Sequence, residues 1–201
     1  MVLREGSTSV GVGGLRTTPR RLLVILAAAP LLGALGDGAR PAPTPAAPAY
    51  DATGALLRPQ GYPRWIFVGA SLGLSYSDGP HEGGPGEFHH VYLRPESYDE
   101  FRRTGRFPDK TMLVLELHEA AQKVAPSRHG LFEGRRLALE AAVKDVERFP
   151  DGWAYFSFGD GAQPTATPFP RSRCFDCHRQ HAASDNVFVQ FYPVLRDKPV
   201  D

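Results

Sequence analysis

The chain has 201 residues, of which 42% are hydrophobic and 22% are charged, a balance typical of a globular protein rather than a disordered or fibrous one. Its 23 Lys and Arg residues against 22 Asp and Glu residues give a formal charge of +1, which excludes the strongly basic surface that nucleic-acid binding favours. Two cysteines are too few for a scaffold stabilised by several disulfides.

The first 38 residues have the pattern of an export signal. Four arginines precede an uncharged apolar stretch of 15 residues at positions 22–36, and small residues follow it. A positive start, a short apolar run and a small-residue cleavage region are typical of a secretory signal. Because a membrane span needs about 20 apolar residues, a cleaved signal is favoured over a retained anchor. We therefore predict an export signal over residues 1–38, which would make the mature protein periplasmic or otherwise exported.

A linker and one domain follow the predicted signal. Residues 40–49 read RPAPTPAAPA, a Pro- and Ala-rich sequence that favours extended backbone. We predict a linker over residues 39–55 and a single domain over residues 56–201. Four of the 23 basic residues and two of the 22 acidic ones lie within 1–38, so the remainder has a formal charge of −1. Such a chain has no electrostatic reason to bind DNA or an anionic membrane.

Short strands and one helix are predicted along the domain. Aromatic, β-branched or alternating segments predict strands at residues 65–70, 89–93, 111–118 and 153–158. A helix is predicted over residues 95–104, with proline in its first turn, arginines near its end and Gly105 as its stop. Residues 136–144 have a helix-favouring composition, but their period-two alternation predicts a strand. Segments rich in glycine or proline predict loops at 78–86 and 159–173.

The segment at 111–118 has two chemically different faces. Side chains alternate across a strand, so Leu113, Leu115 and Leu117 share one face. The opposite face carries Met112, Val114, Glu116 and His118. We expect the leucine face to line the core, because it is purely aliphatic.

The chemistry of the chain is concentrated in the C-x-x-C-H motif Cys174-Phe175-Asp176-Cys177-His178. Two thiols at this spacing can add to the two vinyl groups of one haem, and the adjacent imidazole can then bind the iron. The motif therefore predicts one covalently attached haem c per chain, held by Cys174 and Cys177, with His178 as the iron ligand. Haem is attached in this way outside the cytoplasm, which agrees with the predicted export.

A cysteine pair at this spacing has three other possible uses besides haem attachment. A thioredoxin-like redox pair would stand near the start of βαβ units, whereas this pair follows a Pro-rich loop near the C-terminus. A structural zinc site needs four ligands, and no second cysteine pair exists. A disulfide across so short a loop would be strained and would close little chain. Haem attachment is the favoured interpretation.

The second axial position of the iron decides what such a protein does. Electron-carrying cytochromes often pair His with Met, but Met112 is the only methionine outside the predicted signal, and it lies opposite the leucine face. A histidine outside the motif is more often a surface or hydrogen-bonded residue than a ligand. These histidines are His81, His89, His90, His118, His129 and His181. We expect His181, three residues after His178, on the same side of the haem, and we predict five-coordinate iron with an open or weakly occupied distal position.

Several separate motifs resemble one known family. They are YPRWIFVG at 62–69, VYLRPESY at 91–98, TGRFPDKTMLVLEL at 104–117, LEAAVKD at 139–145, GWAYFSF at 152–158, and CFDCH followed by DNVFVQFYPVLR at 185–196. With these motifs the chain, from about Leu57 to Leu195, resembles the cytochrome P460 family, which includes the β-sheet cytochromes c′ of the c′-beta type. The resemblance implies a mainly β (α+β) protein, with an antiparallel sheet, a few short helices, a C-terminal c-type haem motif and usually a homodimeric state.

The two branches of the family differ in one covalent bond. Cytochromes P460 oxidise hydroxylamine and join a lysine to the porphyrin, from a strand that ends in Lys-Glu-Leu, whereas c′-beta proteins bind nitric oxide. The matching segment here is Leu115-Glu116-Leu117, so the resemblance puts Leu115 at the cross-linking position. Leucine has no nucleophilic atom and cannot form the bond. Lys110 and Lys123 flank the strand but lie outside the matching register.

The resemblance also suggests residues of the distal pocket. Glu140 matches a carboxylate that is similar to a proton relay in P460 enzymes and would act as an acid/base; alternatively it is a solvated carboxylate paired with Arg135, Arg136 or Lys144. Phe88 and Phe67 are candidates for an apolar cap over the iron, or are ordinary core residues.

Three functions follow from these expectations. The first is binding of nitric oxide or a related small nitrogen ligand, for sensing, buffering or scavenging. The second is an enzymatic oxidation of hydroxylamine or a peroxidase-like reaction. The third is electron transfer with a periplasmic partner protein.

Overall fold

The computed structural model describes residues 47–74, 84–122, 125–126 and 128–196. The predicted export signal, the start of the predicted linker, most of the predicted loop at 78–86, His81 and Lys123 lie outside these residues. Among the residues described, no helix combines the length and apolar character needed to cross a membrane.

A five-stranded antiparallel sheet forms the centre of the domain. The strands, in chain order, are β1 (Leu56–Leu57), β2 (Ile66–Leu72), β3 (Glu87–Leu93), β4 (Met112–Ala121), β5 (Phe132–Lys144), β6 (Trp153–Ser157) and β7 (Thr165–Ala166). Strands β2 to β6 pair in the order of the sequence, whereas β1 and β7 form a separate two-stranded ribbon. Neighbouring strands therefore follow one another along the chain, as in a meander.

Short helices flank the sheet. They are α1 (Pro95–Thr104), α2 (Phe175–His181) and α3 (Pro193–Arg196), with 3₁₀ turns at Tyr62–Arg64, Arg171–Arg173 and Val189–Phe191. Helix α1 begins at Pro95, where the missing N–H costs no helical hydrogen bond. It ends where Gly105 adopts a φ of 73°, a left-handed conformation that glycine accepts without strain. The predicted helix bounds at 95–104 are confirmed.

Each face of the sheet carries a cluster of buried side chains, which explains the composition of β4. One face packs under the helices and the C-terminal segment through Leu113, Tyr155 and Phe175. The other packs under the β1–β7 ribbon and the residues before β2 through Val114 and Phe156. Met112 is 3% exposed although it lies opposite the leucines. The expectation of a single core-lining face on this strand was thus too narrow.

The structure confirms the mainly antiparallel β fold with a few short helices. The ambiguous segment at 136–144 is a strand, and β5 is longer than predicted because its alternation continues back to Phe132. The predicted loop at 159–173 differs, because it contains β7 and the 3₁₀ turn at Arg171–Arg173. A two-residue pairing of β7 with Leu56 and Leu57 depends on a distant segment and leaves no local signal in the sequence.

Candidate functional site

The C-x-x-C-H motif lies at the start of helix α2. Cys174 is the residue that caps the helix, and the His178 N–H donates to its carbonyl oxygen at 3.0 Å. Residues three and four positions apart meet on one side of a helix, so this turn brings Cys177 and His178 towards Cys174. Both cysteines are half-buried free thiols. The local structure therefore groups two thiols and one imidazole.

The orientation of His178 is fixed by a backbone carbonyl. Its Nδ1 lies 2.9 Å from the carbonyl oxygen of Asn186. Because a carbonyl only accepts, Nδ1 carries the proton and Nε2 keeps a free lone pair, the arrangement found in metal-binding histidines. Burial lowers the pKa of His178, and the hydrogen bond to Asn186 partly offsets this. The imidazole is thus prepared as a neutral ligand.

Two aromatic rings hold the imidazole plane. The rings of Tyr155 and Phe188 each lie 4.3 Å from the His178 ring, centroid to centroid. The Tyr155 hydroxyl also donates to the Asn186 carbonyl at 3.2 Å. Burial raises the pKa of Tyr155, so its hydroxyl stays protonated and remains a donor. Tyr155 therefore supports His178 by packing and through the shared acceptor.

A tight loop after α2 presents that carbonyl. Asp185 and Asn186 both have positive φ, 46° and 59°, which Asp and Asn accept more readily than other side chains. The Asp185 carboxylate accepts from Lys144 Nζ at 2.7 Å and from Trp153 Nε1 at 3.2 Å. These two contacts tie the loop to strands β5 and β6 of the sheet.

Helix α2, its following loop and the sheet enclose a mainly apolar cavity. Its empty volume is about 580 Å³ with the solvent at its mouth included. The sheet contributes aliphatic side chains such as Leu113 and Leu115, and the opposite side contributes Cys174 and His178. The other main lining residues are Val91, Glu140, Ala142, Tyr155, Asn186, Val187, Phe188 and Tyr192.

Glu140 is a carboxylate of this cavity. It lies beside Leu115 in the β4–β5 register, and burial raises its pKa, with the charge of Arg173 acting in the opposite direction. Among the residues that the structure describes, none forms a hydrogen bond or ion pair with its carboxylate. The basic residues considered as its partners pair elsewhere: Arg135 with Glu119, Arg136 with Glu116 and Lys144 with Asp185. Glu140 therefore projects an unpaired carboxylate among apolar side chains.

The Cys174 thiol is held in its neutral form. Burial raises its pKa to about 11, and the nearby Glu140 carboxylate adds to the shift. A thiol in this environment is a poor thiolate nucleophile at neutral pH. Cys174 thus lacks the lowered pKa that characterises the reactive thiol of thioredoxin-like redox motifs.

The structure does not bring Phe88 and Phe67 to the cavity. Both lie on the other face of the sheet, where each ring contacts His90, at centroid distances of 6.0 and 5.8 Å. Phe88 pairs with His118 and not with the leucine face, because side chains directly opposite one another point to the same side. The expectation that these rings cap a distal site is corrected by their position.

Among the residues that the structure describes, no methionine lines the cavity. Met112 packs on the opposite face of the sheet, as its strand parity predicts. Among the described residues that line the cavity, His178 is the only histidine. No lysine lines the cavity within the same set of residues, and Leu115 occupies the sheet position nearest to Glu140.

These residues fit a covalently attached haem. A porphyrin needs an apolar slot, a basic nitrogen ligand and two thiols at the spacing of its vinyl groups. The cavity has an aliphatic wall, a neutral imidazole with a fixed tautomer and the two free thiols on one helix. The set lacks the four sulfur or nitrogen ligands of a structural zinc site.

Sequence reasoning missed the supporting residues Tyr155, Asp185 and Asn186. Asn186 acts through its main-chain oxygen, which no side-chain pattern reveals. The Asp-Asn pair was a usable signal, because these residue types are enriched at positive φ. Tyr155 was predicted only as part of a strand, since its role depends on a loop that is 31 residues further along the chain.

Comparison with known proteins agrees with this geometry. The sequence model of the family described as Cytochrome P460 matches residues 59–189, most of the part of the chain that the structure describes. No curated protein matches the chain.

Proposed function

Because the chain belongs to the cytochrome P460 family, whose members are c-type haem proteins, we propose that it is an exported protein that binds nitric oxide, or a related small nitrogen ligand, on five-coordinate iron. Cys174 and Cys177 would hold the haem by thioether bonds, and Nε2 of His178 would bind the iron. When bound, the haem supplies an iron centre that takes up diatomic ligands and exchanges an electron.

One observation carries the proposal: within the described residues, the lining of the cavity offers a single histidine and no methionine. A second histidine or a methionine ligand from this lining is therefore absent, which favours an iron position that a small molecule can occupy. The aliphatic side chains around it restrict water and favour an uncharged ligand such as nitric oxide over an anion.

The residues around His178 set its strength as a ligand. The Asn186 carbonyl accepts the Nδ1 proton, which increases the electron density on Nε2. The Tyr155 hydroxyl shares that acceptor and so limits the effect. Contact with the rings of Tyr155 and Phe188 keeps the imidazole from rotating out of position.

Leu115 is the residue that favours this proposal over hydroxylamine oxidation. It stands where the resemblance puts the cross-linking lysine of P460 enzymes, and it lines the cavity. An aliphatic side chain packs against a porphyrin without bonding to it. We therefore propose an unmodified haem c, whose reduced Soret band is not shifted strongly to the red.

Absorption spectroscopy of the purified holoprotein tests the proposal. We expect a high-spin ferrous spectrum that changes on addition of nitric oxide, and an intact mass that includes one haem. His178→Ala should remove the high-spin histidine-ligated spectrum while the covalent haem mass remains. His181→Ala is the matched control, since this exposed histidine of the same helix lies outside the cavity lining and should leave the spectrum unchanged.

Three results would contradict the proposal. A mass without haem, after expression in a host that attaches haem c, would refute the cofactor. A six-coordinate low-spin spectrum in both oxidation states would indicate electron transfer. A ferrous Soret band moved strongly to the red would indicate a cross-linked porphyrin and favour the enzymatic alternative.

Glu140 favours a second candidate function. A half-buried, unpaired carboxylate with a raised pKa is suited to exchange protons with a substrate in the cavity. The candidate reaction is oxidation of hydroxylamine or a peroxidase-like reaction, with Glu140 as acid/base and a periplasmic protein as electron acceptor. Turnover of hydroxylamine or peroxide by the wild type, slowed at least tenfold in Glu140→Gln, would support it. Equal turnover by the two proteins would remove Glu140 from the reaction.

A homodimer is the assembly that we propose, following the resemblance. Two large apolar side chains of strand β2, at the edge of the sheet, are well exposed: Phe67 is 48% and Leu72 is 42% accessible. Exposed apolar residues together on an edge strand are suited to an interface between copies.

A further inference from the structure

A group of ionisable side chains lies on the face of the sheet opposite the cavity. His90, Glu116 and His118 each place one ligand atom within 4.8 Å of the others. Glu133 joins them, because its Oε1 lies 3.1 Å from Nε2 of His90. Strands β3, β4 and β5 supply these four residues, which we call the back-face cluster.

His118 is oriented as a metal-binding histidine. Its Nδ1 lies 3.2 Å from the carbonyl oxygen of Gly134. The carbonyl only accepts, so Nδ1 carries the proton and the Nε2 lone pair is free. Nε2 lies 3.7 Å from Oε2 of Glu116. Two ligand atoms that are each about 2.0–2.2 Å from one zinc ion are separated by roughly this distance in tetrahedral geometry.

One carboxylate oxygen of Glu116 faces the cluster, and the other is held by hydrogen bonds. Its Oε1 accepts from the Tyr62 hydroxyl and from NH1 of Arg136, the latter at 3.2 Å. Its Oε2 faces His118. A carboxylate whose second oxygen is hydrogen-bonded is the usual form of a metal-ligating carboxylate, because the outer contacts fix its direction.

His90 and Glu133 complete the group at the surface. The His90 side chain is 13% exposed and the Glu133 side chain 50% exposed, so an ion can reach the cluster from the Glu133 side. The β4–β5 pairing changes register on both sides of His118. Such bulges redirect side chains and occur next to functional sites.

We propose that the back-face cluster is a second metal site that binds a divalent transition-metal ion, with zinc as the ion that suits it best. Two imidazoles together with carboxylate oxygen match Zn²⁺, whereas Ca²⁺ and Mg²⁺ prefer oxygen alone. Cu(I) prefers sulfur, and the cluster contains none. Two carboxylates against the single guanidinium of Arg136 leave a net negative site for a cation.

The metal content of the holoprotein tests the proposal. Tag-free protein is equilibrated with ZnCl₂, dialysed, and analysed for zinc and iron by mass spectrometry of the elements. We expect one zinc per iron in the wild type. His118→Gln and His90→Gln should each weaken zinc binding at least tenfold. X-ray absorption spectra at the zinc K-edge should show two imidazole ligands together with oxygen ligands and no sulfur ligand.

His89→Gln is the matched control, because His89 is adjacent to His90 in strand β3 and points to the opposite face. It should retain one zinc per iron. Glu133→Gln changes a half-exposed side chain, and it should weaken zinc binding too. No zinc in the wild type, sulfur in the zinc coordination, or equal zinc in the cluster variants and the wild type would overturn the proposal. The haem spectrum, which does not depend on this site, verifies that each variant is folded.

Discussion

At the scale of single residues, two of the ionisable side chains that line the cavity differ in their polar contacts. His178 is a neutral base whose proton position is set by the Asn186 carbonyl. Glu140 is an acid that has no partner among the described residues and lies against aliphatic side chains. The Nδ1 proton of the first has an acceptor, whereas burial of the second raises its pKa and disfavours its charged form.

Glu140→Gln is therefore expected to stabilise the folded protein at neutral pH. Burial raises the folded-state pKa of Glu140, so its contribution to stability is fully present below the unfolded pKa and is lost as the pH rises through the folded pKa. Glutamine has no charge to bury. Thermal unfolding should show a higher midpoint for the variant at pH 8 and a smaller difference at pH 4. A difference that grows towards acid would contradict the assignment of a buried, unpaired carboxylate.

The sequence predicted the residues with distinctive chemistry and missed those that act through the backbone. The C-x-x-C-H spacing is readable without a structure, because each of its residue types has a defined role in haem attachment. Phe88 was suggested as a cap by the family resemblance, and alternation along β3 does not say which face of that strand meets the cavity. In this sheet each face carries a cluster of buried side chains, so aromatic character could not decide between them.

At the scale of structural elements, the loop after α2 joins the imidazole to the sheet. Asp185 accepts from Lys144 and Trp153, and Asn186 accepts from His178 and Tyr155. Residues 184–187 thus connect helix α2 with strands β5 and β6.

Asp185→Asn should destabilise the protein by about 1–3 kcal/mol, because it removes the charge that Lys144 meets in a partly buried place. Asparagine still accepts the positive φ of this position, so backbone strain does not contribute. Urea denaturation measures the change. Glu119→Gln, in an exposed pair with Arg135, is the comparison and should cost less than about 1 kcal/mol. Equal losses in the two variants would show that Asp185 does not anchor the loop.

The C-terminal segment packs closely against strand β2 because residue 69 of that strand has no side chain. A Cβ at Gly69 would lie 3.1 Å from Cδ1 of Tyr192, which lines the cavity. Gly69→Val should therefore displace Tyr192 and cost about 1–3 kcal/mol. Ala70→Val, at an exposed position on the other face, should be nearly neutral. Hydrogen exchange of residues 189–196 should rise only in the Gly69 variant; unchanged exchange would contradict this packing role.

The strands were the best-predicted elements because their alternation is local. Residues 136–144 show that period two outweighs helix propensity when a segment pairs on both sides, as β5 does with β4 and β6. The pairing of β1 with β7, and the register changes beside His118, depend on contacts between distant segments. No short pattern in the sequence encodes them.

At the scale of the whole molecule, the two faces of the sheet differ in how completely they are filled. The face under the β1–β7 ribbon is packed by protein side chains such as Leu56, Val114 and Phe156, each fully buried. The face under helix α2 contains the cavity of about 580 Å³, solvent at its mouth included. In the proposed function, haem attached to α2 completes the packing of this face.

Protein that lacks the cofactor should therefore be less stable on one side of the sheet. We expect Cys174→Ser/Cys177→Ser to unfold at a lower temperature than the holoprotein, with faster hydrogen exchange in α2 and slower exchange retained at Val114 and Phe156. Wild-type protein produced without haem attachment is the control, because it lacks the cofactor but keeps both thiols. An unfolding midpoint equal to that of the holoprotein would show that the cavity does not weaken the fold.

The acceptor that orients His178 is a main-chain oxygen, and this affects how the protein responds to genetic variation. Replacing Asn186 by any other amino acid leaves that oxygen on the chain. In a library of point mutants, substitutions at this position would therefore affect His178 only through backbone conformation. Related proteins could carry any side chain that accepts the positive φ of this position while keeping the same tautomer of the histidine. Chemical synthesis with a modified backbone, rather than codon exchange, is the way to remove this contact.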